Sequence, residues 1–137
     1  MKNSLLLSLF SSSLLFSHTL TVHITNIEGI KGDILIGLYT ASENFGSIDD
    51  VYKQGKITKI DRESNIYRFI DIPDGKYALS IFHDENSNNE LDKGLFGIPK
   101  EGYGFSNNIR PILRSATFEE SEFGLSEDSN LTIEIGY

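Results

Sequence analysis

The chain has 137 residues and no cysteine, which excludes disulfide stapling and thiol catalysis and leaves stability to packing or a bound metal. Twenty acidic residues face 12 basic ones, a formal charge of −8 that disfavours nucleic acid and anionic lipid as partners and attracts cations. A chain of this length suffices for one hydrophobic core.

Residues 1–17 read as a secretory signal peptide: Lys2, an apolar run interrupted by serines from Leu5 to Phe16, then Ser17 as the small residue before cleavage. The run falls short of the roughly 20 apolar residues that span a bilayer, and no cysteine stands ready to take a lipid anchor. The expectation is a mature domain of residues 18–137, exported to the periplasm or beyond and not inserted in a membrane. Loss of Lys2 takes its formal charge from −8 to −9.

Period-two alternation dominates the chain beyond Ser17, the mark of half-buried strands. In TLTVHITNI (19–27), Leu20, Val22 and Ile24 share one face, and EGIKG then turns the chain. DILIGLY (33–39) is apolar on both faces, so both are expected to be covered. A short helical turn is expected after Ser42. GKITKI (55–60) and NIYRFIDI (65–72) are further strands, the second closed by PDG, where Pro73 presets φ and Gly75 permits a positive φ. KYALSIFHD (76–84) puts Tyr77, Leu79 and Ile81 on one face. From Asp84 to about Arg114 no period persists, yet Leu95, Phe96, Ile98, Tyr103 and Phe105 argue for order rather than disorder. ATFEESEFGL (116–125) rejoins the sheet, and NLTIEIGY (130–137) aligns Leu131, Ile133, Ile135 and Tyr137. The fold expected is all-β: an antiparallel two-sheet sandwich of six to eight strands with one long ordered loop.

Within that loop, DENSNNELD repeats oxygen-bearing side chains at alternate positions. Counting Asp84 as position 1 of a calcium loop puts Asn86 at 3, Asn88 at 5, Glu90 at 7, through its carbonyl, and Asp92 at 9. Leu91 falls where such loops anchor themselves to the core. Asn89 replaces the usual glycine, and Leu95 replaces the bidentate glutamate, so Glu101, a carbonyl or water would have to complete the shell. Ca²⁺ is the cofactor implied, held at the weak, extracellular end of about 10⁻⁴ to 10⁻³ M. The alternative is a loop that caps its own backbone and binds nothing, in a purely structural envelope protein.

Two further clusters bear on function. In GLFGIPKEGYGFSNN the rings of Phe96, Tyr103 and Phe105, with the amide of Asn107, can line a groove for a glycan or peptide. Against this, apolar residues of an ordered loop usually bury themselves, and here they are expected to fold back as lids on the sandwich edge. Cleavage after Ser17 would also leave His18 as an amino-terminal histidine able to chelate copper, provided His23 or His83 converges on it, and the alternative function is then a copper-dependent oxidative enzyme. His83, however, is in phase with Tyr77, Leu79 and Ile81, as a buried structural ring would be. No G-x-S-x-G elbow appears, and Gly102 and Gly104 lead into no phosphate-binding helix. A non-catalytic protein is the expectation.

The run FIDIPDGKYALSIFHDENSNNELDKGLFGIPKEGYGFSNN resembles the bacterial DUF2141 family. The resemblance is carried by Pro73, Gly75, Tyr77 and Ala78, by His83, Asp84, Asn86, Asn88 and Asp92, and by Gly97, Pro99, Glu101, Gly102, Gly104, Phe105, Ser106 and Asn107. Asn89 departs from the glycine often found there. IPDGKYALSIFHDENSN also resembles a turn and strand of prealbumin-like, carboxypeptidase-regulatory and surface-repeat B domains. Those likenesses imply a prealbumin- or Ig-like sandwich that serves as a binding or scaffold module, with an envelope protein or glycan as partner.

Overall fold

In the computed structural model, which describes residues 16–137, the alternating segments pair into two sheets around a common apolar interior. The leader expectation for residues 1–17 lies outside the described residues except at Phe16 and Ser17. Among the described residues no helix is long and apolar enough to cross a membrane.

Strand β1 (Ser17–Thr25) forms the middle of the smaller sheet, antiparallel to β4 (Asn65–Pro73) on one side and parallel to β8 (Ser129–Glu134) on the other. That parallel pair is the exception to the expected antiparallel pattern. The larger sheet runs β3 (Lys53–Ile57), β2 (Asp33–Tyr39), β5 (Gly75–Asp84), β6 (Tyr103–Phe105), and β7 (Phe123–Leu125) pairs with the start of β5. Leu20, Val22 and Ile24 of β1 meet Ile34, Ile36 and Leu38 of β2 and Tyr77, Leu79 and Ile81 of β5, all buried in one cluster with Phe69, Ile72, Ile133 and Ile135. The alternation places each of these side chains inward, and at roughly 1.5–3 kcal/mol per buried side chain this interior is the principal source of stability.

Strand β2 is buried on both faces because a second cluster of Tyr39, Ala78, Phe118, Phe45 and Val51 covers its outer side. The segment after Ser42 that supplies Phe45 and Val51 is a chain of turns and not the expected helical turn. The one α-helical turn among the described residues, α1 (Phe118–Ser121), comes later. Thr117 caps it: its hydroxyl accepts the Glu120 N–H at 3.2 Å while the Glu120 carboxylate accepts the Thr117 N–H at 2.9 Å. The T-x-x-E spacing was a readable capping-box signal.

Two turns differ from expectation in instructive ways. At the β4–β5 turn Gly75 has no positive φ; the left-handed residue is Asp71 (φ 59°), inside β4 where its pairing with β1 shifts register. At the turn before β2, Gly32 (φ 76°) lies so close to β5 that a Cβ there would stand 1.9 Å from the Asp84 carbonyl oxygen. Gly32 thereby presses the 28–32 turn against the point where β5 leaves the sheet.

At the opposite edge, Tyr103 and Gly136 exchange backbone hydrogen bonds of 3.0 and 2.9 Å, tying β6 to the end of β8 and closing one end of the sandwich. Replacing Gly32→Ala is expected to cost about 2 kcal/mol or more, because the strained φ and a backbone clash act together. Urea unfolding measures it, and an unchanged midpoint would contradict the close approach.

Candidate functional site

Strand β5 carries His83 and Asp84 out of the core without exposing either; both side chains are fully buried. The Asp84 carboxylate accepts the N–H groups of Asn88 (3.1 Å) and Asn89 (2.8 Å). Asn86 accepts the Asn88 N–H at 3.2 Å, and Asn88 accepts the Glu90 N–H at 2.9 Å, two Asx turns in succession. Ser87 (φ 56°) and Asn89 (φ 62°) take the left-handed conformation, so Asn89 performs the backbone role expected of a glycine.

Glu101, remote in sequence, completes the loop. It is buried, and its two oxygens accept the N–H groups of Glu85 and Asp92, each at 3.0 Å. The Lys100 N–H donates to the Asp92 carbonyl at 2.8 Å, so Asp92 and Glu101 together form the stem of the 93–100 hairpin.

Asp84, Asn86, Asn88, Asp92 and Glu101 therefore meet in one hydrogen-bonded loop, while the Glu90 side chain is exposed. Among the described residues no basic side chain is in ion-pair contact with Asp84, Asp92 or Glu101; the cation that reaches the loop, Lys56, pairs with Asp33 at 3.0 Å and donates to the Asn89 amide oxygen at 3.2 Å. The acidic side chains do not close into a ready cage: among the described residues no three His, Asp or Glu groups come together as a metal set. Asn86 and Asn88 turn their amide nitrogens to the Asp92 carboxylate, at 2.5 and 3.0 Å. The donor chemistry suits a hard cation, since carboxylates and amide oxygens are what Ca²⁺ takes.

His83 is the structural ring that its strand phase implied. One nitrogen, Nε2, donates to the Lys31 carbonyl at 2.7 Å, and Nδ1 accepts the Tyr137 hydroxyl at 2.7 Å. Burial pushes the Tyr137 phenol above its usual pKa, which keeps it a donor. The copper arrangement is not formed. His83 lies eight residues along β5 from the turn beside His18, about 26 Å at strand spacing, and His23 lies about 16 Å from His18 along β1. Instead His18 is hydrogen-bonded to Asp74, and His23 approaches Asn130 at 3.5 Å on the outer face.

The glycine-aromatic segment also departs from the lid expectation. Leu95 is 83%, Phe96 97% and Ile98 52% exposed, so these side chains stand away from the sandwich. Facing them is a second loop whose Ile112 and Leu113 are 87% and 88% exposed, a pair that the sequence pattern does not single out. Between the two loops runs a groove of ≈ 390 Å³ floored by Tyr103 and Phe105 and walled by Leu91, Ile98, Pro99 and Pro111. Phe105 itself is buried, its ring centroid 5.7 Å from that of Phe45.

Asn107 is not at the groove as a ligand contact. Its amide donates to the carbonyls of Glu120 (3.1 Å) and Glu122 (2.9 Å), which seats α1 on the sheet edge. Arg114 grips both oxygens of Glu120 at 2.7 and 2.9 Å and, with the Thr117 N–H, holds that carboxyl down to about 2.

Two substitutions test this wiring. Glu101→Gln replaces one acceptor with a donor beside a backbone N–H and is expected to cost about 1–3 kcal/mol. Tyr137→Phe strips the buried His83 Nδ1 of its hydrogen bond, at about 1 kcal/mol. Denaturant unfolding measures both; two neutral results would mean that neither group is held as described.

Comparison with known proteins agrees with the residues that point to a family. No curated protein and no solved structure matches the chain. The model of one family, described as an uncharacterized protein conserved in bacteria (DUF2141), matches residues 22–134, from β1 to the end of β8 and through the whole 84–115 region. The chain belongs to the DUF2141 family.

Proposed function

We propose that the protein is an exported, non-catalytic β-sandwich module of the cell envelope that takes up Ca²⁺ in its 84–101 loop and presents the adjoining 93–115 surface to a partner. The observation that carries this reading is the pair of buried carboxylates, Asp84 and Glu101, which share one loop with Asp92 and have no basic side chain as ion-pair partner among the described residues. Backbone N–H groups alone offset only part of the cost of burying charge, and a bound cation offsets the rest. Asp84, Asp92 and Glu101 would give charged oxygens, Asn86 and Asn88 amide oxygens, and Glu90 its carbonyl. On Asp92, the ion would take the place of the two amide N–H donors.

A second reading has its own support: the Asp84 and Glu101 oxygens each already accept a backbone N–H, and Asp92 is served by two amides, so the loop is satisfied without any ion. Under that reading the protein is a structural envelope component.

Thermal unfolding separates the two. At a Ca²⁺ concentration 100 times Kd the ion is expected to add about 2.7 kcal/mol, roughly a 10 °C rise in Tm for a chain of this size, reversed by EDTA. Asp92→Asn, which keeps an acceptor in place, should fold and lose that rise. An equal Tm in EDTA and in millimolar Ca²⁺ would leave the self-capped loop as the answer.

A further inference from the structure

The surface between the 93–100 hairpin and the 109–115 loop combines exposed apolar side chains, backbone strain and basic residues. Leu95, Phe96, Ile112 and Leu113 are each more than four-fifths exposed and lie on two loops that face each other across the groove. The backbone holds Phe96 (φ 62°) and Leu113 (φ 63°) in the left-handed region, where bulky side chains are genuine outliers. Strain at two apolar tips, with neither tip buried by it, is the kind of feature that a contact surface explains and a packing role does not.

Charge on this stretch differs from the acidic average of the chain. Residues 91–115 carry four basic side chains, Lys93, Lys100, Arg110 and Arg114, against two acidic ones, Asp92 and Glu101, both engaged inside the loop. Residues 16–90 and 116–137 together carry seven basic against 18 acidic, so the strongly negative average conceals a local excess of positive charge. Among the described residues, Lys93 and Lys100 are in no ion pair, whereas Arg114 is committed to Glu120 and Arg110 donates to the Glu134 carbonyl at 2.7 Å on β8. The Lys100 stem lies over Gly94, 3.1 Å from where a Cβ would stand, which keeps its ammonium beside the hairpin. Glu90 lines the adjoining groove on the sheet side rather than this one.

We propose that the face formed by Leu95, Phe96, Ile98, Ile112 and Leu113, flanked by Lys93 and Lys100, docks peripherally on the surface of an anionic lipid bilayer. Convex tips that project singly need a fluid apolar medium, while a protein partner needs matching pockets. Long basic side chains beside them reach the headgroup phosphates while their stems stay at the apolar boundary. A second copy of this chain on the same face would set the two unpaired lysines against themselves. The proposal deepens the presenting surface described above and rests on that part of the reading, not on the cation.

The chain has no tryptophan, so Phe96→Trp gives a single reporter. Its emission is expected to shift to the blue on vesicles of equimolar phosphatidylcholine and phosphatidylglycerol, in EDTA as well as in Ca²⁺, and the shift should diminish as salt screens the headgroups. In co-sedimentation with the same vesicles, the Phe96→Asn, Leu113→Asn double variant should bind at least about tenfold more weakly than the wild type. Asn suits the left-handed backbone, so this variant should fold as well as its parent.

Absence of wild-type sedimentation with anionic vesicles overturns the proposal, as does equal binding of the double variant or equal binding to pure phosphatidylcholine. A wild-type dimer in analytical ultracentrifugation that the double variant does not form would make the face a contact between copies instead. Vesicle binding without a Ca²⁺-dependent Tm rise would remove the cation reading alone, and the reverse pair of results would remove the lipid reading alone.

Discussion

A carboxylate that leaves water has to be answered, and in this protein Asp84 and Glu101 are answered by backbone N–H groups drawn from a single loop. The arrangement works in both directions. Burial of the two side chains demands donors, and the loop between Asp84 and Asp92, too irregular to pair with a strand, has donors that need acceptors. Four N–H groups, those of Glu85, Asn88, Asn89 and Asp92, find them in these two side chains. The loop thereby gains a defined shape from polar contacts, in a region where the apolar core does not reach.

The hairpin beyond Asp92 inherits that order. Asp92 and Glu101 flank the 93–100 segment, so any contact that steadies them steadies its exposed apolar tip. Glu101 leads directly into Gly102, whose carbonyl accepts the His83 N–H at 2.8 Å, and then into β6. The Tyr103–Gly136 bridge carries the register on to β8 and brings Tyr137 above His83. One continuous set of hydrogen bonds thus connects the acidic loop, the buried imidazole and the closure of the two sheets. A change of charge inside the loop acts on that whole end of the sandwich, including the groove.

Much of the framework was legible in the amino-acid sequence because strand period and core burial are the same fact. Leu20, Val22 and Ile24, or Tyr77, Leu79 and Ile81, alternate because one face is wet and the other dry, and His83 announced its burial by sharing that phase. The elements that escaped notice are those without a period. Three residues, Tyr-Gly-Phe, are too few for β6 to show alternation, and the parallel partnership of β1 with β8 is a long-range choice that local pattern does not encode. The acidic loop could be read as a set of oxygen-bearing side chains, but which amide atom faces Asp92 depends on competition with backbone N–H groups that only the folded loop defines. The fate of the loop aromatics went unread for a related reason: burial is the default for Phe and Leu, and nothing local signals its failure.

That failure is the most informative departure from the general pattern. Of the eight non-glycine residues with positive φ among the described residues, six are Asn, Asp or Ser, side chains whose local hydrogen bonding makes the left-handed region tolerable or that sit in a turn built around such bonds. Phe96 and Leu113 have no such excuse. Each bears a conformational cost of roughly 1–2 kcal/mol and, in addition, forgoes the burial that would ordinarily reward an apolar side chain. A fold whose core already contains Leu79, Ile81 and Ile133 at zero or near-zero exposure does not lack the means to bury two more residues. The penalty is local, repeated on both sides of one groove, and coincides with a stretch where positive charge exceeds negative. An arrangement of that kind is intelligible when the apolar burial is completed from outside the chain, so that the energy withheld in the free protein becomes available on contact.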